Sequence, residues 1–112
     1  MPLTVEVVDL THGRPASDVR VGLECSDGSV WTAVASASTD ESGRIDDWGG
    51  ADGHDRDLRL VIDARRYFAA QGLLSSQADI TIAVGPTSPW TVRHVPVLLA
   101  PFGYSTYTGL SS

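Results

Sequence analysis

The chain has 112 residues, a formal net charge of −6, 42% hydrophobic residues and 20% charged residues. These values predict one globular domain over residues 1–112 with a single core. The acidic balance disfavours nucleic acid and anionic membrane surfaces as partners, because both carry dense negative charge. With one cysteine, no signal-peptide pattern and no apolar stretch of membrane-spanning length, the sequence predicts a soluble cytoplasmic protein.

The first half of the chain predicts strands joined by turns. Three segments alternate apolar and polar residues or are rich in β-formers: 3–10, 19–25 and 30–39. In the first segment, Glu6 lies on the face opposite to Leu3 and Val5. Asp27-Gly28 marks a hairpin between the second and third segments, because both residues tolerate the positive φ angles of tight turns. Glycines, prolines and aspartates predict the other connections, which are residues 12–15, 40–44 and 46–57.

The second half predicts further strands and one helix. The strand candidates are residues 58–63, 79–84, 91–99 and 104–108. Residues 64–71 contain good helix formers and are followed by Gly72, which predicts a helix of about two turns. Seven or eight short strands at near-regular spacing indicate an all-β fold, a two-sheet sandwich with one short helix.

Three polar residues are candidates for chemistry, and each also has a purely structural interpretation. Alternation places His94 on one face with Pro96 and Leu98, where it is either a structural histidine or a general acid or base that titrates near neutral pH. Glu6 is either an outward, solvated carboxylate or part of a site. Arg44 follows a glycine in a turn, where arginines are normally exposed.

Two further segments carry polar side chains without a complete motif. An acidic cluster in the long loop lacks the ligand spacing of a calcium loop, so we expect no metal site there. Its members are Asp46, Asp47, Asp52, His54 and Asp55. The hydroxyl-rich run at residues 104–107 is typical of an edge strand.

Four segments together resemble the transthyretin fold family, and more closely its enzymatic branch, the 5-hydroxyisourate hydrolases of purine breakdown. The segments are Val7–Ala16, Thr39–Arg44, Tyr67–Ala70 and His94–Tyr107. The resemblance implies a transthyretin-like sandwich that assembles as a homotetramer, a dimer of dimers. It also implies a channel at the interface between dimers, which holds the active sites.

The resemblance identifies candidate catalytic positions as well. Enzymatic members use a first-strand histidine, an arginine after a turn, a second histidine before Val-Pro and a C-terminal Tyr-Arg-Gly-Ser. They open a cyclic, imide-like ring by activating water against a carbonyl. Arg44 and His94 match this pattern, whereas Glu6 stands where the first histidine is expected and Thr108 where the C-terminal arginine is expected.

The resemblance thus implies a cofactor-free enzyme that acts on a small, carbonyl-rich heterocycle. His94 would be the general base or acid, Arg44 would stabilise developing negative charge, and Glu6 would orient water or polarise His94. The residues expected to bind substrate lie in the last strand: Ser105, Tyr107 and Thr108.

Three functions stay open on the sequence. The first is hydrolysis of 5-hydroxyisourate itself, and the second is a related ring opening, closure or rearrangement in specialised metabolism, which the residues at positions 6 and 108 favour. The third is a non-catalytic protein that binds a small ligand in the same channel. Retention of Arg44 together with His94 favours an enzyme, because a carrier does not need this pair.

Overall fold

The computed structural model describes residues 3–51, 56–72, 79–85, 92–101, 103–106 and 109–111, and these form two β-sheets and one short helix. The helix α1 spans Ala64–Ala69. The strands of the described residues, in chain order, are β1 (Leu3–Asp9), β2 (Arg14–Pro15), β3 (Arg20–Ser26), β4 (Trp31–Ser38), β5 (Arg44–Ile45), β6 (Leu58–Ile62), β7 (Ile80–Gly85), β8 (Val92–Ala100), β9 (Gly103–Thr106) and β10 (Gly109–Ser111).

The larger sheet is built around β1 and β8, which run parallel in register from Leu3 opposite Arg93 to Asp9 opposite Leu99. The other edge of β1 pairs with two short antiparallel strands, β5 at its middle and β2 at its end. The free edge of β8 pairs antiparallel with β9 and β10, which follow one continuous register line along it. β1 is therefore a central strand.

The smaller sheet has the strand order β4-β3-β6-β7, and all its pairings are antiparallel. The hairpin between β3 and β4 turns at Asp27-Gly28, where Gly28 has φ 117°, a conformation that a side chain would strain. The Asp27 carboxylate accepts a hydrogen bond from the Val30 N–H at 3.3 Å. The predicted hairpin is confirmed, with the physical reason given for it.

The hydrophobic core takes the inward residues of both sheets, together with the buried face of α1. Its fully buried members include Val5, Val7, Leu23, Leu60, Ile62, Phe68, Val95 and Val97. Period-two alternation along each strand produces this arrangement, because successive side chains point to opposite faces of a sheet. Residues of β1 and β8 that lie between these core positions face away from the core. The candidate site lies on this second face.

The architecture agrees with the predicted two-sheet sandwich and short helix, and three details differ. Two connections expected to be turns contain the two-residue strands β2 and β5, which are too short to produce a periodic pattern. The last predicted strand, 104–108, corresponds to β9, while residues 107 and 108 lie outside the described residues and β10 was not predicted. The expected loop at 46–57 contains Trp48, which is 4% exposed in the core and donates its Nε1–H to the Leu3 carbonyl at 3.2 Å.

No helix among the described residues is long and apolar enough to cross a membrane.

Candidate functional site

Strand register brings the three candidate polar residues onto one face of the six-stranded sheet. Glu6 on β1 is directly opposite Arg44 on β5. His94 on β8 is opposite Thr4, two residues before Glu6 on β1. With ideal strand spacing and rise, the Cα atoms of His94 and Glu6 are therefore roughly 8 Å apart, within reach of one small molecule. We define this surface, made of Thr4, Glu6, Val8, Arg44, His94, Pro96 and Leu98, as the outer face.

Arg44 is positioned by a turn that packs tightly against β1. The Asp40 carboxylate accepts hydrogen bonds from the Ser42 N–H at 2.9 Å and the Arg44 N–H at 3.0 Å. Hydrogen bonds from Ser42, followed by that from the Arg44 backbone, lower the pKa of Asp40 below its ordinary value. The aspartate thus holds the turn while remaining ionised.

Gly43 explains how this turn approaches β1 so closely. It has φ 78°, and a Cβ at this position would lie 2.5 Å from the Val7 carbonyl oxygen. The Val7 N–H donates to the Gly43 carbonyl at 2.8 Å, which joins the turn to the central strand. Only glycine fits this conformation and contact, so the Gly-Arg sequence sets the register that places Arg44 beside Glu6.

His94 is positioned by its strand, which pairs along both edges. β8 lies between β1 on one side and β9 and β10 on the other, and Gly109 is opposite His94 on the second side. Val95, Val97 and Leu99 are fully buried, so alternation turns His94 to the outer face as predicted. The imidazole is partly buried.

The charged groups of the outer face do not neutralise one another. Glu6 is partly buried and Arg44 is exposed, yet within the described residues no ion pair or hydrogen bond joins their side chains, and none joins either of them to His94. In the described part of the chain, a carboxylate, a guanidinium and an imidazole thus share the outer face without an ion pair among the three, while the Arg44 guanidinium also acts electrostatically on Asp40. This arrangement can provide a proton acceptor, a fixed positive charge and an acceptor that orients water.

The remaining predicted site residues lie at the C-terminal end of the sheet. Ser105 on β9 is in register with Leu98 of the outer face. Tyr107 and Thr108 lie outside the described residues.

Sequence reasoning missed a second polar cluster, at the far end of β1. The Asp9 side chain is fully buried, and its Oδ2 accepts a hydrogen bond from the Tyr67 hydroxyl at 2.7 Å and lies 2.8 Å from His12 Nδ1. Its Oδ1 accepts the backbone N–H groups of Thr11 and His12 at 2.8 and 3.2 Å. These bonds tie the turn after β1 to α1. We call Asp9, His12 and Tyr67 the aspartate cluster.

The contacts of the aspartate cluster shift the pKa values of Asp9 and Tyr67. Burial alone would raise the pKa of Asp9, but the hydrogen bonds from Tyr67 and His12 together outweigh burial and lower it. Burial, followed by the hydrogen bond to Asp9, raises the pKa of Tyr67 to about 12. The contacts of Asp9 with Thr11 and His12 had a sequence signal, an aspartate that caps a turn ending in Gly13. The contact with Tyr67 spans 58 residues and has no such local signal.

The acidic loop cluster is described only in part. Asp46 and Asp47 are exposed, and the Asp47 carboxylate accepts the Gly49 N–H at 2.9 Å. Asp52, His54 and Asp55 lie outside the described residues. Across the described part of the chain, no three His, Cys, Asp or Glu side chains are grouped so that they could hold a metal ion.

Comparison with known proteins gives a consistent result. A family model described as "HIUase/Transthyretin family" matches residues 3–109. A 5-hydroxyisourate hydrolase of Mesorhizobium japonicum is 33% identical over 96% of this chain and 90% of its own length. The "Uric acid degradation bifunctional protein TTL" of Arabidopsis thaliana is 32% identical over 96% of this chain, which covers only 37% of that longer protein.

A solved structure matches the fold over the whole chain. The crystal structure of sea bream transthyretin in complex with thyroxine superimposes with a TM-score of 0.91, covering 100% of this chain and 98% of that one at 24% identity. The likeness establishes the transthyretin-like sandwich that the sequence predicted.

Proposed function

The chain belongs to the HIUase/transthyretin family, and from this membership and the geometry of the outer face we propose that it is a hydrolase that opens a small cyclic amide rich in carbonyl groups. The observation that carries the proposal is that Glu6, Arg44 and His94 share one face of the sheet, where no ion pair among the described residues joins them. The curated relative with 90% of its length covered is named 5-hydroxyisourate hydrolase, so this compound is the first substrate to test.

In the proposed hydrolysis, His94, Arg44 and Glu6 each have one role. His94 removes a proton from water as the water oxygen attacks a ring carbonyl carbon, and Arg44 stabilises the resulting oxyanion. The carbon–nitrogen bond then breaks, and His94 returns its proton to the leaving ring nitrogen. The products are a carboxylic acid and an N–H group. Glu6, between Arg44 and Pro96 in register, accepts a hydrogen bond from the attacking water and orients it.

The proposal includes the assembly and the rest of the binding surface. Residues 1–112 would form one domain, and four copies would assemble as a dimer of dimers with outer faces enclosing a channel. Ser105, Tyr107 and Thr108 would line that channel. Because Thr108 cannot supply the positive charge that the resemblance places at its position, a substrate related to 5-hydroxyisourate belongs to the proposal as well.

A spectroscopic assay tests the proposal. Purified protein is mixed with freshly generated 5-hydroxyisourate, and the ultraviolet decay is compared with the spontaneous decay. A panel of other cyclic amides, including hydantoin and dihydrouracil, is tested by the release of one proton per ring opened. We expect catalysed opening of at least one of these rings, and loss of that catalysis in His94→Ala.

The same assay separates an enzyme from a carrier. A carrier would bind the rings in equilibrium dialysis without accelerating their opening, and His94→Ala would leave that binding unchanged. Such a result would overturn the proposed hydrolysis and support the non-catalytic alternative.

A further inference from the structure

A concave site lies away from the outer face, between α1, β2 and the turn that follows β4. It has a volume of about 470 Å³, within the usual range of pockets for small molecules, about 300–1,000 Å³. Glu6, Arg44 and His94 do not line it. We call it the helix cleft. It is separate from the site of the proposed hydrolysis.

The helix cleft presents charges of both signs. Arg14 from β2 and Arg66 from α1 line it, as do Asp18 and Glu41 from two different loops. Within the described part of the chain, none of these four side chains makes an ion pair. A purely anionic ligand would be repelled by the two carboxylates, and a purely cationic one by the two guanidinium groups. The lining therefore favours a ligand that has both an anionic group and hydrogen-bond donors.

Gln71 adds an acceptor that lacks a donor. Its side chain lines the helix cleft, and its Oε1 is buried without a hydrogen-bond partner. Its Nε2 donates to the Tyr67 carbonyl at 3.4 Å, a long and therefore weak hydrogen bond. Buried carbonyl oxygens are normally hydrogen-bonded, so the Gln71 amide would gain a hydrogen bond if binding turned its Oε1 towards a ligand N–H in the helix cleft.

The walls of the helix cleft are held in place by the rest of the fold. The hydroxyl of Tyr67, whose side chain also lines it, donates to buried Asp9 at 2.7 Å. Asp18 has φ 59°, unusual for a residue with a side chain, and its N–H donates to the Thr39 carbonyl at 3.0 Å. The Tyr67 side chain and the Asp18 backbone are thus held in place, which reduces the entropy that these two residues lose on binding.

We propose that the helix cleft binds a small open-chain carboxylate that also carries amide or ureido N–H groups. Arg14 and Arg66 hold the carboxylate, since guanidinium groups match its geometry. Gln71 Oε1 accepts one N–H, and the Asp18 and Glu41 carboxylates accept the others. Hydrolysis of a cyclic amide yields a compound of this class, so the helix cleft would retain product-type molecules; this last link alone rests on the proposed function.

An NMR titration tests the proposal on the full-length protein. ¹⁵N-labelled protein is titrated with N-carbamoylglycine, which has one carboxylate and a ureido group. Hydantoin, the closed ring of the same compound, and acetate, which lacks the ureido group, are the ligand controls. We expect saturable shifts at Arg14, Tyr67 and Gln71 with N-carbamoylglycine, and much weaker binding of both controls.

Matched variants separate this binding from a general charge effect. Arg14→Gln and Arg66→Gln should each weaken N-carbamoylglycine binding about 10- to 150-fold, the loss expected for a charge-assisted hydrogen bond. Arg65→Gln is the control, because Arg65 is on the same helix but does not line the helix cleft. His94→Ala should leave the binding unchanged.

Each contrary result has a definite meaning. No saturable shift, equal binding of hydantoin or acetate, or equal losses in the Arg65→Gln control would overturn the proposed ligand class or site. Shifts confined to β1 and β8 around Glu6 and His94 would overturn the helix cleft while leaving the proposed hydrolysis intact. Binding at the helix cleft without any ring-opening activity would overturn the proposed hydrolysis and leave the proposed ligand site intact.

Discussion

Each outward face of the sandwich carries a glutamate directly opposite an arginine on a neighbouring antiparallel strand. On the four-stranded sheet Glu24 is opposite Arg59, and on the six-stranded sheet Glu6 is opposite Arg44. The first pair forms an ion pair, with Arg59 Nε 2.6 Å from Glu24 Oε1, and the guanidinium lies 4.3 Å from the Trp31 ring centre. The second pair forms no ion pair among the described residues.

The difference shows that strand register can place a carboxylate and a guanidinium opposite each other without an ion pair forming between them. On the four-stranded sheet, the carboxylate and an aromatic ring satisfy the arginine, so its contribution is to stability. On the outer face, Glu6 and Arg44 are left beside a partly buried imidazole. A charged group that has an ion-pair partner within the chain contributes to the stability of the fold, whereas a charged group without such a partner is available to a ligand.

Removal of His94 should produce the largest effect. We expect His94→Ala to lower the rate constant for ring opening about 100- to 10,000-fold, because a positioned acid or base contributes that much. The free energy of unfolding should change little, since the side chain lies outside the core. Urea denaturation measures stability, and free imidazole should restore part of the rate. A loss of stability that matches the loss of rate would contradict a catalytic role.

Replacement of Arg44 should have the next largest effect. Arg44→Gln removes the charge that stabilises the oxyanion, so kcat should fall about 100- to 1,000-fold, as for the loss of one oxyanion donor. Arg59→Gln is the matched control on the opposite sheet, and its kcat should equal that of the wild type. Similar kinetic losses in both variants would remove the distinction between the two faces.

The aspartate cluster should affect stability and leave catalysis unchanged. Tyr67→Phe removes a hydrogen bond to a fully buried carboxylate, and bonds to charged groups contribute about 1.5–3 kcal/mol to stability. We expect a loss of this size in urea denaturation with unchanged kcat. A catalytic defect in Tyr67→Phe at full stability would show that this cluster belongs to the active site.

Alkaline pH should weaken the same contact. The pKa of Tyr67 is about 12 in the folded protein, against an ordinary value of 10.0. Because the folded value is raised, its contribution to stability is complete below pH 10 and decreases as pH rises towards 12. Unfolding experiments across this range should show the decrease in the wild type and a smaller one in Tyr67→Phe. Identical pH dependence in the two proteins would refute the raised pKa.

The smallest effect is expected on the four-stranded sheet. Arg59→Gln breaks a partly exposed ion pair, and such pairs contribute about 0.2–1 kcal/mol. Loss of the contact with Trp31 adds a term of similar size. Urea denaturation should show a total loss of about 0.7–2 kcal/mol, the sum of the two contributions. A larger loss would mean that this face is a major determinant of the fold.

Local patterns predicted much of the fold because they act within single strands. The alternation of β1 and β8 correctly separated the core residues Val5 and Val97 from Glu6 and His94. The family resemblance supplied the candidate site positions by sequence order, and these remain predictions. The physical contacts between them depend on pairings between distant segments, which alternation within a strand cannot show.

The parts that sequence reasoning missed are long-range or very short. β5 has two residues, and it exists because Gly43 allows its turn to approach the Val7 carbonyl. Trp48 lies in a loop, yet its side chain is buried in the core and donates a hydrogen bond to the carbonyl of Leu3, 45 residues away in the sequence. Asp9 appeared to be one more polar residue at the end of a strand, because its partner Tyr67 lies on the helix. Each requires the assembled sandwich.

The proposed hydrolysis is tested most directly by comparing the wild type with the double variant Arg44→Gln/His94→Ala. The substrate is fresh 5-hydroxyisourate or, if the wild type does not open it, a cyclic amide of the panel that the wild type does open. We expect acceleration by the wild type and the spontaneous rate with the double variant, with near-ultraviolet circular dichroism unchanged. A double variant that is as active as the wild type would show that the uncommitted charges of the outer face are not the catalytic groups.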